Sequence, residues 1–458
     1  MRQRLPAAMV HVLSALAEEL HRTQHFLPGE LREYQYRLLE KVVRHARAHV
    51  PFYRDTGRLD PLFRRNDSID WDRWPEIPLL TRQEVQRAGE ALRSEYVPAE
   101  HGMIAPIATS GSTAEPVTVW HSQYSNVIVR AAVVVRNLKQ NGIDPTQRMA
   151  FLYPFTPAHF DTRRARRHSG RYDSFSEPGL TGERFDVADT RPTAELVQEL
   201  VSIRPKFLRA QPIVLELLCA NDTERLLSDL AIAVVFSVGE HLPADVKQEV
   251  ADHLGCWIID SYGSIECGRM AHSCPECGRF HIEADTVFVE VNDDEGMPSR
   301  PADAGWVVAT PLHNYAMPLI RYDHVDRAVV GEPGGCSIAL PALDAVLGKE
   351  RDAFVFRGGV SIRPTLPMSA LIQHLGAQAF QVAQVAEDRC EVRIVPGRLP
   401  PSEMCYDSMT RLIRSTWWSE LNVDYKIVSE LPRRSARGKV AAYVQEMPHA
   451  RRLRSGRG

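Results

Sequence analysis

The sequence contains neither of the common nucleotide-binding loops. GxxxxGK[ST] is absent, which excludes a Walker-type phosphate loop, and no GxGxxG follows a strand-like run, which removes support for a dinucleotide fold. No apolar run reaches the roughly 20 residues that cross a bilayer, so no membrane contact is expected. Charge of one sign is also missing. Lysine and arginine number 55 against 58 aspartates and glutamates, a net charge of -3, which argues against a general nucleic-acid binder. Eight cysteines in 458 residues do not make a disulfide scaffold. The N-terminal "MRQRLPAAMVHVLSALAEEL" mimics a secretory leader, but His11 interrupts it, Glu18 and Glu19 follow, and no small-residue cleavage site appears. It reads as an amphipathic helix, and the protein as cytoplasmic.

What is present is ordinary globular composition, 44% hydrophobic, with material for two or three domains. Residues 29–53 read as one long helix ended by Pro51, and a helical run is expected from about Ser122 to Asn141. From residue 148 strands and helices alternate: "RMAFLYPF", then "RPTAELVQELVSI" with Thr190 as its candidate cap, "KFLRA", "PIVLELLCAN", "AIAVVFSVG", "PADVKQEVADHL" and "CWIIDSYG". Such alternation implies a mainly parallel sheet covered by helices. Residues 286–330 read as a β-rich piece, and the pattern restarts after about 350 as a small α+β unit. The expected class is α/β, with a large N-terminal domain at 1–348 and a small C-terminal domain at 349–458.

Parallel α/β sheets bind ligands at the carboxyl ends of their strands. Four loops are candidates. "ATSGSTAEPV" could cradle a phosphate on Ser110, Gly111, Ser112, Thr113 and nearby backbone N–H groups, or be a plain linker. "SYGSIE" ends a strand, where Tyr262 offers a flat face, Gly263 gives room and Glu266 could hold Mg²⁺; the bland alternative is a surface turn. In "MPLIRYDHVD", Asp326 could accept from ribose hydroxyls and Arg321 could pair with phosphate or fix the loop, or the two could form a surface salt bridge. "LPRRSARGKV" carries Lys439, which in isolation would be solvated.

Taken in order, these four stretches resemble the adenylate-forming superfamily of acyl-CoA synthetases, and more closely its phenylacetate–CoA ligase-like branch. "PFYRD", "IPLLTRQEV", "SVGEHLP" and "FHIEADTVFVEV" match as well, so the resemblance runs from about residue 30 to 445. It implies a large adenylation domain, binding ATP and the acid, and a small mobile C-terminal domain. A carboxylate would attack the α-phosphorus of ATP, and a thiol, usually of coenzyme A, would then displace AMP. The resemblance assigns Lys439 and Glu266 to catalysis, Glu266 through Mg²⁺. It places Ser110, Gly111, Ser112 and Thr113 on the β,γ-phosphates and Tyr262 on adenine, with Gly239, Glu240 and Gly263 beside it. Asp326 would bind ribose, with Arg321 and Lys349 completing the nucleotide and hinge region. Tyr153, Phe155, His159 and Phe160 would line the acyl pocket, suggesting an aromatic or compact acid. Two departures stand out: Ala114 where glycine is usual in the phosphate loop, and "GKERD" at the hinge, with Lys349 for arginine and Arg351 or Asp352 at the pivot.

"ECGRMAHSCPECGRFH" gives Cys267, Cys274, Cys277 and His281 the spacing C-x6-C-x2-C-x3-H, which suits a structural Zn²⁺; His272 is a competing nitrogen ligand, and a set of reduced, unliganded residues is the alternative. "DTRRARRHSGR" reads as a solvated loop or as a contact for the phosphates of coenzyme A or of a carrier protein's pantetheine arm. The partners expected are a small carboxylic acid, ATP and a thiol, with an amine or a carrier protein as alternative acceptor, in a monomer or homodimer. A degenerate nucleotide-binding module is the reading from another class.

Overall fold

The computed structural model describes residues 7–447 apart from 109–116, 145, 154, 156–159, 169–181, 190, 240, 241, 243, 333, 349–353, 360, 363, 365–376, 397–402, 430 and 433–442. Contacts divide the chain into two compact units, one of residues 1–108 and 118–348, the other of 109–117 and 349–458.

The first unit opens with helices at Ala7–Thr23 and Pro28–His49. Pro51 does not end the helical region: it occupies the first turn of a further short helix, Pro51–Thr56, where a missing N–H costs nothing. A hairpin that the sequence did not announce follows, β1 (Ile104–Ala108) paired with β2 (Thr118–Ser122). The expected helical run is real but begins with a π-helical turn at Tyr124–Val129 before the α-helix Arg130–Gln140.

The centre of this unit is a sheet of twelve strands. In chain order these are β3 (Met149–Tyr153), β4 (Arg166–His168), β5 (Arg184–Ala188), β6 (Phe207–Ala210), β7 (Val234–Val238), β8 (Trp257–Ser264), β9 (Gly268–Ser273), β10 (Phe280–Ile282), β11 (Val287–Asn292), β12 (Ala304–Pro311), β13 (Tyr322–Val330) and β14 (Ala342–Gly348). Their spatial order is β11-β12-β13-β14-β10-β9-β8-β7-β6-β3-β5-β4. Strands β5, β3, β6, β7 and β8 run parallel. Strands β3 (MAFLY) and β7 (VVFSV) are near-continuous apolar runs, which fits burial on both faces. The helices between them are amphipathic: Leu196, Val197, Leu200 and Ile203 line one side of Thr193–Ile203 and pack on the sheet. That helix starts behind Pro192, with no side-chain cap; Thr190 lies outside the described residues. From β9 onward the sheet turns antiparallel, so the β-rich piece is not a separate layer but the continuation of the same sheet.

A fully buried ionic knot ties the N-terminal helix to this frame. Arg136 pairs with Glu283 and, at 2.6 Å, with Asp285, which also accepts from Thr23 Oγ1 at 2.6 Å. His272 Nδ1 meets Glu283 Oε1 at 2.9 Å. Removing one partner from such a buried group costs about 3–5 kcal/mol.

The second unit is a four-stranded sheet, ordered Asn422–Ile427, Arg389–Pro396, Ala377–Ala386, Tyr443–Gln445, with a helix at Glu403–Thr416. Its core includes Phe354, Phe356, Phe380, Val392, Met409 and Ile413. No helix among the described residues is long and apolar enough to cross a membrane.

Candidate active site

Register places several predicted residues along one edge. Pairing of Met149 with Phe207, Phe207 with Val234 and Val234 with Trp257 sets the carboxyl ends of β3, β6, β7 and β8 side by side. Tyr153 closes β3, Gly239 follows β7, and Tyr262 lies near the end of β8. Three strand spacings separate Tyr153 from Tyr262, about 14 Å. Gly239 has φ 91°, a conformation that favours glycine. Gly263 is required by space: a Cβ there would lie 2.4 Å from the carbonyl oxygen of Gly268 in the facing strand.

Tyr262 is partly buried and donates its hydroxyl to Asp326 Oδ2 at 3.0 Å. Burial, with the Asp326 charge added, pushes the phenol well above its ordinary value, so it remains a donor. Glu266 sits in the tight β8–β9 turn and is 7% exposed. Its Oε1 accepts from Tyr322 Oη at 3.2 Å and faces Arg82 Nη1 at 3.4 Å. Burial opposes its ionisation. His324, its own backbone N–H, Arg82 and Tyr322 outweigh that, and the carboxyl is held below the usual glutamate range. Both side-chain contacts fall on Oε1, leaving Oε2 without a side-chain partner among the described residues. An ionised carboxylate with one oxygen open suits a hard divalent cation such as Mg²⁺.

Arg82 arrives from a short helix, Arg82–Ala88, whose entry is fixed by a capping box between Thr81 and Glu84. The preceding "IPLLT" strap lies on β13: Leu80 N–H donates to Arg321 O at 2.8 Å, and Asp323 N–H donates to Leu80 O at 3.0 Å. This explains why that segment belongs to the site although it carries no nucleotide-binding signature.

No family model matches the chain. The phenylacetate-coenzyme A ligase of Thermus thermophilus is 27% identical over 365 residues, covering 76% of this chain and 76% of the relative. That of Escherichia coli is 24% identical over 360 residues, covering 73% and 75%. Among solved structures, 2-hydroxyisobutyryl-CoA ligase in its postadenylation state with R3-HIB-AMP aligns over 95% of this chain and 93% of its own, with TM-score 0.61 and 17% identity. The chain is similar to phenylacetate–CoA ligases over about three quarters of its length, and it shares the fold of 2-hydroxyisobutyryl-CoA ligase.

Against that frame, the structure brings together Glu266, Tyr262, Gly263 and Asp326 on and beside β8. Of the two roles open to Arg321, the contacts show the loop-fixing one and not the phosphate contact. Arg321 has φ 53°, and its buried guanidinium grips Glu290 at 2.9 and 3.2 Å and the carbonyls of Trp74, Pro75 and Ile77 at 3.3, 2.9 and 2.6 Å. It fixes the strap rather than reaching phosphate. Tyr153, Phe155 and Phe160 form an aromatic chain with ring centroids 5.3 and 5.1 Å apart. Ser110, Gly111, Ser112, Thr113, Ala114, His159, Glu240, Lys349, Arg351, Asp352 and Lys439 lie outside the described residues.

The arginine-rich stretch is partly neutralised: Arg163 pairs with Asp161 and Arg167 with Glu183, and Arg166–His168 forms the edge strand β4. Sequence reasoning missed Asp189, just after β5. Both its carboxylate oxygens are buried without a hydrogen-bond partner, and burial pushes its pKa up to about 7.

The cysteine assignment is corrected in one member. Cys274, Cys277 and His281 converge with Cys336, their ligand atoms all within 4.8 Å of one another. Cys267 is elsewhere, with its Sγ 3.2 Å from His324 Nε2 beside Glu266. The physical reason is the extended strand β9, which separates Cys267 from Cys274 by about 20 Å. His272 turns into the buried ionic knot instead of the cluster.

Proposed function

We propose that the chain activates a carboxylic acid with ATP and passes the acyl group to a thiol, coenzyme A foremost. The observation that carries this reading is Glu266, ionised in a buried turn beside the Tyr262–Asp326 pair at the carboxyl edge of the sheet. In the first step a carboxylate oxygen of the acid bonds to the α-phosphorus of ATP, the α–β P–O bond breaks, and pyrophosphate leaves. A typical acid with a pKa of about 4 is already ionised at neutral pH, so no general base is needed. The protein's task is charge neutralisation and in-line positioning. Glu266 would hold Mg²⁺, which when bound supplies charge neutralisation on the phosphates. Asp326 would accept from ribose hydroxyls, Tyr262 would face adenine, and Gly239 and Glu240 would line that pocket. Ser110, Gly111, Ser112 and Thr113 would hold the β,γ-phosphates, and Lys439 the reacting carboxylate. In the second step a thiolate attacks the acyl carbon and the bond to AMP breaks. Repositioning of residues 349–458 about Lys349 would exchange the two half-sites. The aromatic chain Tyr153–Phe155–Phe160 favours an aromatic or otherwise compact acid.

The test is pyrophosphate release across a panel of aromatic and short-chain acids, with and without coenzyme A, in the natural chain and in Lys439→Ala. Acid-dependent release with thioester formation, lowered roughly 10²-fold or more in Lys439→Ala, is the expected result. Release without thioester would redirect the acyl group to an amine or carrier protein. No release with any acid would overturn the enzymatic reading in favour of a nucleotide-binding module.

A further inference from the structure

The cluster at the far end of β9 has the composition and closure of a metal centre. Cys274 and Cys277 lie on the turn between β9 and β10, which is shaped by Cys274 N–H donating to Arg279 O and Gly278 N–H to Cys274 O, both at 2.8 Å. His281 projects from β10. Cys336 comes from the segment leading into β14, whose residues Leu343 and Ala342 pair with Phe280 and His281. Antiparallel pairing therefore delivers a ligand from 55 residues away in sequence.

The histidine is set in one tautomer. Its Nδ1 lies 3.1 Å from the carbonyl oxygen of Leu340, which can only accept, so Nδ1 carries the proton. Nε2 then presents a lone pair, 3.1 Å from Cys336 Sγ and 3.5 Å from Cys277 Sγ. A second-sphere carbonyl fixing the outer nitrogen is the usual support for a ligating imidazole. A tetrahedral ion with bonds of 2.0–2.3 Å requires ligand atoms about 3.6–3.8 Å apart, a small adjustment from these positions. Outside the four ligands the same segment is clamped: Ser337 N–H and Oγ donate to Glu276 at 3.0 and 2.7 Å. Ala339 N–H donates to Gln24 O at 2.8 Å.

We propose that Cys274, Cys277, His281 and Cys336 bind one Zn²⁺ ion that staples the 334–341 segment to the β9–β10 turn. Three thiolates and one imidazole select a borderline-soft tetrahedral cation, and four protein ligands leave no position for substrate. The ion is structural. It anchors β9 at the end opposite Glu266, and β9 in turn pairs with β8 through Ala271 and Tyr262.

Metal analysis of the full-length protein, purified from zinc-supplemented culture without chelator, decides the proposal. It expects about one zinc per chain. Cys336→Ser should fall below about 0.2 equivalents, while Cys267→Ser keeps its metal. Should Cys336→Ser fail to fold, Cys336→His retains a nitrogen ligand and should hold zinc. Cobalt exchanged into the natural chain should then give the strong visible bands and thiolate charge transfer of a tetrahedral cysteine site. Zinc below about 0.2 equivalents in the natural chain, no thiolate charge transfer with cobalt, or loss of metal in Cys267→Ser with retention in Cys336→Ser would each overturn it. None of these readouts uses turnover, so the outcome is independent of the ligase reading.

Discussion

Strand β9 ends in two different chemistries. At its start the β8–β9 turn carries Glu266, a hard, ionised carboxylate with an oxygen open to a ligand. At its end lie three thiols and an imidazole, soft and mutually enclosing. One strand of six residues thus separates a carboxylate with few ligand groups around it from a close set of four ligand-bearing side chains. Both ends contain a cysteine next to a histidine, Cys267 with His324 and Cys277 with His281, so residue types alone do not tell them apart. The number of convergent ligands does.

Substitution at each end should separate catalysis from stability. Glu266→Gln keeps the shape of the turn and removes the charge. Acid-dependent pyrophosphate release should fall about 10²- to 10³-fold with the melting temperature nearly unchanged. A drop in melting temperature of many degrees with normal turnover would erase the distinction. Stripping the cysteine end with a strong chelator should do the reverse: melting falls by about 5 °C or more, while kcat below the transition stays within about threefold.

Asp189, whose N–H donates to Tyr153 O at 3.1 Å, carries the comparison to a third carboxylate, just after β5. Its folded pKa of about 7 lies above the unfolded value of about 4, so the native state holds the proton more tightly. Stability is then full below about pH 4 and declines as pH rises to about 7. Asp189→Asn should therefore gain on the natural chain between pH 5 and pH 8, by on the order of 2 kcal/mol in denaturant titrations. An equal effect at both pH values would mean that the carboxylate is not buried as described.

The smallest effect is reserved for the nucleotide side of the carboxylate end. Tyr262→Phe loses the 3.0 Å bond to Asp326, and KM for ATP should rise about fivefold, close to 1 kcal/mol, with kcat little altered. A matching rise in KM for the acid instead would move Tyr262 from the nucleotide to the acyl pocket.

Strands β3, β6, β7 and β8 and the helices between them were legible because these strands contain short apolar runs and the helices apolar stripes, whereas β5 (RFDVA), broken by Asp186, escaped. The order of short motifs singled out Tyr262, Gly263, Glu266 and Asp326, and of these Tyr262 and Asp326 are hydrogen-bonded. What escaped depends on distant partners. The motif "IRYD" gives no sign that Arg321 faces Glu290 and the carbonyls of 74–77. Cys336 has no local ligand spacing; only the pairing of β10 with β14 brings it to His281, and the turn-rich "GEPGGCS" around it was the single available hint. β4 is three polar residues, and β1 (IAPIA) carries a proline at its centre, so neither the edge strand nor the hairpin β1–β2 announces itself by hydrophobic alternation.

The bond between Thr23 and Asp285 sets a schedule for biosynthesis. The two residues are 262 positions apart, so the first helix leaves the ribosome long before its buried partner exists. At about 5–20 residues per second, that wait lasts roughly 13–50 s. During it Leu13, Leu16 and Leu20, fully enclosed in the finished protein, have no partner surface from the helix Arg130–Gln140 for much of the interval. The nascent chain must carry this apolar stripe, an early customer for chaperones, until Arg130–Gln140 emerges to cover it, and only later does Asp285 arrive to lock the knot.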